Sequence, residues 1–167
     1  MIFVSLGTQR FRFDRLIHKL DNLCELGVVR EKVIVQSGGY HYKVSSENFV
    51  FKDFLSIEEM QKFIQSSEVT ILHGGTGSII TCLKGKKKPI VVPRLKKYGE
   101  HIDDHQQEIA QLFNSKELIE VVNDMEELNE RINSVRNVVF TDSLPFDNGV
   151  EITNDIREYL HSIGENM

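Results

Sequence analysis

The sequence predicts a doubly wound α/β fold, in which helices cover both faces of a mainly parallel sheet. Short β-branched runs alternate with amphipathic segments along the chain, and several of these runs contain no polar residue. Strands that are apolar on both sides are typical of a parallel sheet buried on both faces. The chain has 167 residues, of which 40% are hydrophobic and 27% charged. This size and composition predict a single globular domain over residues 1–167.

Six apolar runs predict the strands, and amphipathic segments predict the helices between them. The strands are expected at residues 2–4, 33–35, 49–51, 69–72, 90–92 and 118–122. Apolar residues recur at helical spacing in residues 16–24, 57–64 and 109–113. Ser56 and Glu59 form the pattern of a capping box at the start of the second of these helices. After a loop that begins at Thr141, a closing helix is expected at about residues 147–162.

Composition excludes several classes of protein. The formal net charge of −5 argues against binding of nucleic acid, because such proteins normally carry a basic surplus. The first predicted strand begins at Ile2, which leaves no room for a signal peptide, and no apolar stretch reaches the roughly 18 to 20 residues that a membrane span needs. We therefore expect a cytoplasmic protein. Cys24 and Cys82 lie among apolar residues at helical spacing, which predicts buried, reduced thiols.

The stretch ILHGGTGSII places three glycines between the fourth strand and a helix that is expected to begin at Ser78. Such a turn presents free backbone N–H groups at the positive end of a helix dipole, which suits a phosphate group, and the hydroxyl of Thr76 adds a donor. A side chain at Gly75 or Gly77 would block this approach to the backbone. A tight turn that binds nothing stays open as the alternative. The stretch matches neither a P-loop nor a dinucleotide fingerprint, which would follow the first strand.

A second glycine turn, SLGTQ, follows the first strand and contains Gly7 and Thr8. In the usual strand order 3-2-1-4-5-6, strands one and four are neighbours at the topological switch point. Both glycine turns are therefore expected to open onto the same crevice.

The segment EHIDDHQQEIA holds further polar residues at the start of a helix. His105 and Gln106 lie one turn before the apolar residues of that helix, so both are predicted to face inward. Asp103 or Asp104 is expected to cap the helix, and Gln106 or Gln107 to close a capping box.

The same segment offers one set of metal ligands as a competing interpretation. The histidines His101 and His105 are four residues apart, and Asp104 or Glu100 would complete the set. With Asp103 at the cap, His101 would precede the helix and the i, i+4 geometry would fail. We therefore predict that the protein has no metal site.

Two motifs resemble a known family. HGGTGSI, which begins at His73, followed by DHQQEIA, which begins at Asp104, is similar to the C-terminal domain of family 28 glycosyltransferases. The likeness is strongest to the small catalytic subunit of two-part UDP-sugar transferases, which is related to the subunit that adds the second N-acetylglucosamine in the dolichol pathway. Pro93, Arg94 and the run KKYGEH bring the chain nearest to the bacterial exopolysaccharide and capsule group.

The resemblance implies a Rossmann-like lobe of the GT-B C-terminal type, which binds a UDP-sugar donor and needs no other cofactor. The family pattern implies that Gly7 and Thr8 approach the diphosphate from one side and residues 74–78 from the other. The positions matched to donor-binding residues are, for the diphosphate, Gly7, Thr8, Gly74, Gly75, Thr76, Gly77 and Ser78; for the uracil ring, Phe54 and Leu55; and for the donor sugar, Gln106 and Gln107. His105, beside these glutamines, is a further donor-binding candidate. Thr81 stands where relatives commonly place an acidic residue for the ribose, so a ribose contact there would rest on one hydroxyl.

The chemistry that the resemblance implies is inverting transfer, in which an acceptor hydroxyl attacks the anomeric carbon while UDP leaves. Loop amides and a helix dipole would stabilise the leaving group. His73 is a candidate for the general base, although a histidine that ends a buried strand is also typical of a structural hydrogen bond. Another chain would otherwise supply the base.

The expected partner is a membrane-anchored subunit that provides the acceptor lobe and binds a polyprenyl-linked acceptor. This subunit is also expected to recruit the chain to the inner face of the membrane. The basic run at residues 84–88 is typical of a solvated loop; an alternative places it next to the crevice, facing anionic lipid head groups. The closing helix, with Ile152, Ile156 and Leu160, is expected to contact the partner. Two other classes stay open: a non-catalytic module that binds a nucleotide or nucleotide-sugar, and a metal-dependent hydrolase.

Overall fold

The computed structural model describes residues 1–136, and the expected closing helix lies outside them. In this part of the chain, six strands and five α-helices alternate around one sheet. The elements are β1 (Ile2–Ser5), α1 (Asp14–Glu25), β2 (Val33–Gln36), β3 (Phe49–Lys52), α2 (Ile57–Ser66), β4 (Val69–His73), α3 (Thr76–Lys84), β5 (Ile90–Val92), α4 (His105–Ser115), β6 (Glu120–Val121) and α5 (Leu128–Arg136). Residues 37–48, between β2 and β3, form a long loop without a helix.

The strand order is β3-β2-β1-β4-β5-β6, and every pair of neighbours is parallel. This confirms the predicted α/β fold and its 3-2-1-4-5-6 order. In β1, Phe3 faces one layer of helices while Ile2 and Val4 face the other, because successive side chains of a strand point to opposite faces. All three side chains are fully buried, as the uninterrupted apolar runs predicted.

Two apolar cores, one on each face of the sheet, hold the layers together. The first is formed mainly by α1 and α5 and includes Leu16, Ile17 and Ile132. The second is formed mainly by α2, α3 and α4 and includes Ile79 and Phe113. Because helices cover both faces of the sheet, we expect a ligand site outside the carboxyl ends of the strands, where open α/β sheets bind their ligands.

Several helix and strand ends differ from those predicted. The predicted capping box at α2 is confirmed, since Ser56 Oγ accepts from the N–H of Glu59 while the Glu59 carboxylate accepts from the N–H of Ser56. Helix α3 begins at Thr76, two residues before the predicted start. Strand β6 pairs only through Glu120 and Val121, because it is a short edge strand with one neighbour.

The start of α4 also differs from the prediction, because neither capping box that we expected there is formed. The N-cap residue is Asp104, and its side chain makes no cap hydrogen bond but accepts from the N–H of Lys96. Asp103 Oδ1 accepts from the N–H of His105. The side chain of Gln106 reaches away from its own helix, as described below.

The basic run at residues 84–88 lies at the edge opposite to the crevice, which corrects the alternative placement next to it. Helix α3 carries the chain away from the carboxyl ends of the strands, and β5 starts again from the amino edge at Ile90. Lys87 donates to the carbonyl of Ser67, and Lys88 pairs with Glu120. Two lysines of the run therefore hold the fold together.

Both cysteines are buried, and neither forms a disulfide. Burial raises the pKa of the Cys82 thiol to about 12 and also raises the pKa of Cys24, so both thiols are unreactive at neutral pH. No helix within residues 1–136 is long and apolar enough to cross a membrane.

Candidate functional site: the carboxyl edge of the sheet

We call residues 6–13, which follow β1, the β1 loop; most of its carbonyl oxygens accept a hydrogen bond, whereas several of its amides donate none within the described part of the chain. Gly7 adopts φ +78°, a left-handed conformation that glycine reaches without strain. Within residues 1–136, the backbone N–H groups of residues 7–10 donate to no protein acceptor. The carbonyls of Leu6, Gly7, Gln9 and Phe11 all accept hydrogen bonds. A loop that presents free N–H groups is suited to bind an anion.

Three side chains from other elements hold the β1 loop in this arrangement. The guanidinium of Arg94, after β5, donates from Nη2 to the carbonyl of Leu6 at 2.6 Å and from Nη1 to the carbonyl of Phe11 at 3.0 Å. Gln36, at the end of β2, donates to the carbonyl of Gly7 at 3.1 Å. The hydroxyl of Tyr42 accepts from the backbone N–H at the end of the loop. All three side chains are buried, so they hold the loop from the side that faces the protein interior.

The second set of free amides lies next to the first, since β1 and β4 are neighbours in the sheet. We call residues 74–78 the β4 turn. Its N-cap residue, Gly75, makes no side-chain cap, and the first turn of α3 contains no acidic residue. Within the described part of the chain, the N–H groups of residues 75–78 make no hydrogen bond. Free amides at the positive end of a helix are suited to bind an anion, and the phosphate site expected at this turn stays a prediction.

His73 lies between the β1 loop and the β4 turn. Its Nδ1 is 3.3 Å from the carbonyl of Ser5, and since a carbonyl can only accept, Nδ1 carries the proton in this hydrogen bond. Burial, and after it the charge of Arg94, lowers the pKa of His73 to about 4. His73 is therefore neutral at physiological pH, with the lone pair on Nε2.

The glycines around His73 are required by its ring. A Cβ at Gly7 would be 2.7 Å from Nε2 of His73, and a Cβ at Gly75 would clash with the same atom. Gly75 therefore serves packing as well, and its expected part in binding the diphosphate stays a prediction. Gly77 is different, because a Cβ there meets nothing within 4 Å among residues 1–136. The fold does not require a glycine at position 77, so the free space above it is available to a ligand.

Gln106 joins the β4 turn to the end of β5. Its Oε1 accepts from the N–H of Gly74 at 3.1 Å and from the N–H of Arg94 at 3.2 Å, and the side chain is buried. The prediction that Gln106 faces inward is confirmed. The same prediction is wrong for His105, whose side chain is 43% exposed and contacts Glu108 on its own helix. The side-chain oxygen of Gln106 has a structural partner, and only its amide nitrogen stays available for a sugar hydroxyl.

Gln107 is half-buried, and its side chain makes no hydrogen bond within residues 1–136. This makes Gln107 the residue of the pair whose whole carboxamide is available to a sugar. The assignment of both glutamines to the donor sugar stays a prediction.

The predicted uracil-binding residues follow β3 at the same edge. The ring of Phe54 is 61% exposed and packs over Gly39, whose added Cβ would be 3.4 Å from Phe54 Cζ. Leu55 is half-buried against the second core. Gly38, beside Gly39, lies so close to the carbonyl of Gly7 that a Cβ would be 2.6 Å from it. The glycine pair Gly38 and Gly39 thus brings Phe54 next to the β1 loop. We did not predict this role, although two adjacent glycines just after a buried strand are visible in the sequence.

Thr81, the predicted ribose contact, lies on α3. Its hydroxyl donates to the carbonyl of Gly77 at 2.8 Å, four residues earlier in the same helix. The hydroxyl proton is thus used within the helix, and a ribose hydroxyl would have to donate to Thr81.

A buried ion pair fixes the segment between β5 and α4. The carboxylate of Glu100 accepts from Nε and Nη2 of Arg15, each at 3.0 Å, and from the N–H of Leu95 at 3.0 Å. Arg15 also donates to the carbonyl of Pro93. Bidentate pairs of this kind fix geometry strongly. This pair could not be predicted from the sequence, because Arg15 and Glu100 are 85 residues apart.

The two histidines that we weighed as metal ligands bind different carboxylates. His101 lies before α4 and contacts Asp103, while His105 contacts Glu108. Within residues 1–136, no group of three or more His, Cys, Asp or Glu side chains is placed to hold a metal ion.

The fold and its carboxyl edge define a class of protein: a Rossmann-like α/β domain in which two neighbouring turns with free amides lie at the switch point. The family follows from a comparison of sequences, in which the model of the glycosyltransferase family 28 C-terminal domain matches residues 1–139. The chain belongs to this family. No curated protein is significantly similar to it in sequence.

At least one solved structure shares the fold. The "Glycotransferase of kitacinnamycin" matches with a TM-score of 0.62 and 14% sequence identity, over 82% of this chain and 34% of that chain. The glycosyltransferase SnogD from Streptomyces nogalater matches with a TM-score of 0.45 and 17% identity, over 81% of this chain and 36% of that chain. This chain thus spans about a third of the length of each.

Proposed function

We propose that this chain is the catalytic, donor-binding subunit of a two-component inverting glycosyltransferase. It would move a hexose (galactose, glucose or N-acetylglucosamine) from a UDP-sugar to a polyprenyl-diphosphate-linked sugar in the synthesis of an exopolysaccharide or capsule. Membership of the family 28 C-terminal domain supports sugar transfer, and the anion site at the carboxyl edge supports a diphosphate-bearing donor.

The observation that carries the proposal is the pair of open turns on neighbouring strands. The N–H groups of residues 7–10 and 75–78 make no hydrogen bond within the described chain, and the dipole of α3 adds positive potential at the same place. A diphosphate has enough oxygens to accept from both turns. The exposed ring of Phe54 lies beside the β1 loop, where a uracil base would stack.

In the reaction, an oxygen of the acceptor hydroxyl forms a bond to the anomeric carbon, and the bond from that carbon to the β-phosphate oxygen breaks. The electron pair leaves with UDP, whose new negative charge the free amides stabilise. The proton of the acceptor hydroxyl goes to a general base. With a pKa of about 4 and a ring enclosed by Gly7 and Gly75, His73 is a weak base, so we assign the base to the partner subunit.

A partner is proposed because the donor site needs a second lobe to carry the acceptor and to close over it. Exposed apolar side chains lie around the carboxyl edge and offer it a surface: Phe54 is 61% exposed, Ile57 70%, Tyr98 56% and Ile102 69%. Burying such side chains at an interface stabilises a complex. We further propose that this partner is the membrane anchor and that it recruits the chain to the inner face of the membrane.

The proposal is tested in two steps with the full chain. UDP and the three UDP-hexoses are first titrated calorimetrically, with and without a chelator, and binding that survives chelation is expected. The chain is then coexpressed with a membrane-anchored acceptor-lobe protein, and transfer of radiolabelled hexose to a polyprenyl-linked acceptor is measured. Transfer is expected only with both chains. Binding without transfer would indicate a non-catalytic module, and transfer by the isolated chain would contradict the two-component proposal.

A further inference from the structure

Arg94 is a buried cation that contacts no anion within the described residues. The side chain is only 2% exposed, and within residues 1–136 it forms no salt bridge. The nearby carboxylate of Glu100 pairs with Arg15 instead. Nε of Arg94 is buried without a hydrogen-bond partner in the described chain. A charge that is buried in this way is costly for stability, so its presence calls for another role.

The partners of Arg94 show which part of the site it controls. Its guanidinium donates to the carbonyls of Leu6, Phe11 and Arg12, and to the carbonyl of Glu100. Three of these four carbonyls belong to the β1 loop. The guanidinium also lies over the ring of Phe13, with Cζ 4.8 Å from the ring centroid. One side chain therefore holds both ends of the loop whose amides are free.

We propose that Arg94 is a positioning residue of the diphosphate site, which binds the carbonyls of the β1 loop so that the N–H groups of residues 7–10 stay free for the diphosphate. This proposal rests on the donor site proposed above. A carbonyl that turned into the site would repel a phosphate oxygen, and the guanidinium prevents this by binding the carbonyls on the buried side. The fixed positive charge behind the loop adds to the attraction for an anion.

The same charge has a second effect, on His73. The groups that act on His73 are the Arg94 guanidinium after β5, the side chain of His101 before α4, and the carbonyl of Ser5 at the end of β1. Burial is the main cause of the lowered pKa of His73, and Arg94 is the next. Removal of the guanidinium is therefore expected to raise the pKa of His73.

Two variants separate the geometric effect from the effect of charge. Arg94→Lys keeps the charge but lacks the forked donors, whereas Arg94→Met removes both. Both variants are expected to weaken UDP binding at least about tenfold in calorimetric titration, since several hydrogen bonds from a charged donor are lost. In NMR titrations of the histidine ring protons, the pKa of His73 is expected to rise in Arg94→Met and to change little in Arg94→Lys.

Arg15→Met is the matched control. Arg15 also lies over Phe13 and contacts the segment after β5, but it makes no contact with the carbonyls of the β1 loop. Its loss is expected to lower the melting temperature while UDP affinity stays within about twofold of wild type. An equal loss of UDP affinity in Arg15→Met and Arg94→Lys would reduce the role of Arg94 to general stability and overturn the proposal.

A measurement on the unmodified chain covers the case in which the variants do not fold. UDP is expected to slow amide hydrogen exchange at residues 7–10 more than at exposed loops elsewhere in the chain. Binding of UDP without added protection at residues 7–10 would overturn the role of Arg94 and leave the donor site standing. Absence of UDP binding by the wild-type chain would instead contradict the proposed function.

Discussion

Replacement of Gly77 by alanine is expected to stabilise the domain and to weaken its binding of UDP. Gly77 is the second residue of α3 and has an ordinary helical backbone. An added Cβ there meets nothing within 4 Å in the part of the chain that the structure describes. Alanine favours a helix over glycine by about 1 kcal/mol in the interior and by less in the first turn, so we expect a gain of about 0.5–1 kcal/mol. For a domain of this size, the gain raises Tm by roughly 1–4 °C.

The expected loss of binding has the opposite sign. The new methyl group would stand between the backbone of the β4 turn and the diphosphate, and a displacement of about 1 Å is enough to weaken binding about tenfold or more. Valine at the same position is expected to weaken it further, because the side chain is larger and β-branched. Scanning calorimetry gives Tm, and isothermal titration with UDP gives the affinity of the same preparations.

Ser134→Ala is the control for a stabilising helix substitution away from the site. Ser134 is exposed near the end of α5. Within residues 1–136 its hydroxyl donates only to the carbonyl of Arg131 in the same helix. The substitution is expected to leave UDP affinity unchanged. A Gly77→Ala protein with a higher Tm and wild-type affinity for UDP would refute the assignment of Gly77 to the diphosphate site.

Three further results are expected. Gly75→Ala should lower the free energy of unfolding by about 1–3 kcal/mol in urea titrations, because its Cβ would overlap the ring of His73. The same substitution should cost much less when His73 is also replaced by alanine, since the ring is then absent. Gln106→Ala should destabilise the domain by about 2 kcal/mol or more, since two buried N–H groups lose their acceptor. Gln107→Ala should leave stability unchanged and weaken the binding of UDP-hexose more than the binding of UDP. Equal losses of affinity for both ligands would remove Gln107 from the sugar site. The free energy of unfolding should fall by up to about 3 kcal/mol as the pH is lowered from 6.5 to about 4. The cause is that His73 takes up a proton at a higher pH in the unfolded chain than in the folded chain. A His73→Gln variant with the same pH dependence as wild type would contradict this.

Hydrophobic pattern was sufficient to predict the sheet, since burial on both faces leaves a clear signal in a parallel strand. The runs at residues 2–4 and 90–92 contain no polar side chain, and both became central strands. Strand order followed from the usual topology of such sheets, and it placed the two glycine turns side by side. The same topology also determines that the lysines at residues 84–88 lie at the far edge, because a helix between parallel strands returns the chain to the amino end. The alternative placement beside the crevice overlooked this.

The roles of individual glycines were not predictable from the sequence. Gly75 and Gly77 lie two residues apart in one motif, yet one accommodates the ring of His73 and the other faces open space. The buried position of Arg94 was equally hidden, because an arginine after an apolar strand is normally expected at the surface. Its partners were set by three-dimensional proximity: the carbonyl of Leu6 is 88 residues away in the chain.

That separation has a consequence for how the domain folds. Hydrogen bonds between Arg94 and Leu6, Arg15 and Glu100, and Gln106 and Gly74 join segments that are 88, 85 and 32 residues apart. Contacts between residues so far apart in sequence form only after the intervening chain has folded. We therefore expect that no short fragment of this chain holds the two turns in their final arrangement. The site and the fold are therefore one cooperative unit, and a nucleotide bound there should slow unfolding of the central strands as much as that of the loops it contacts.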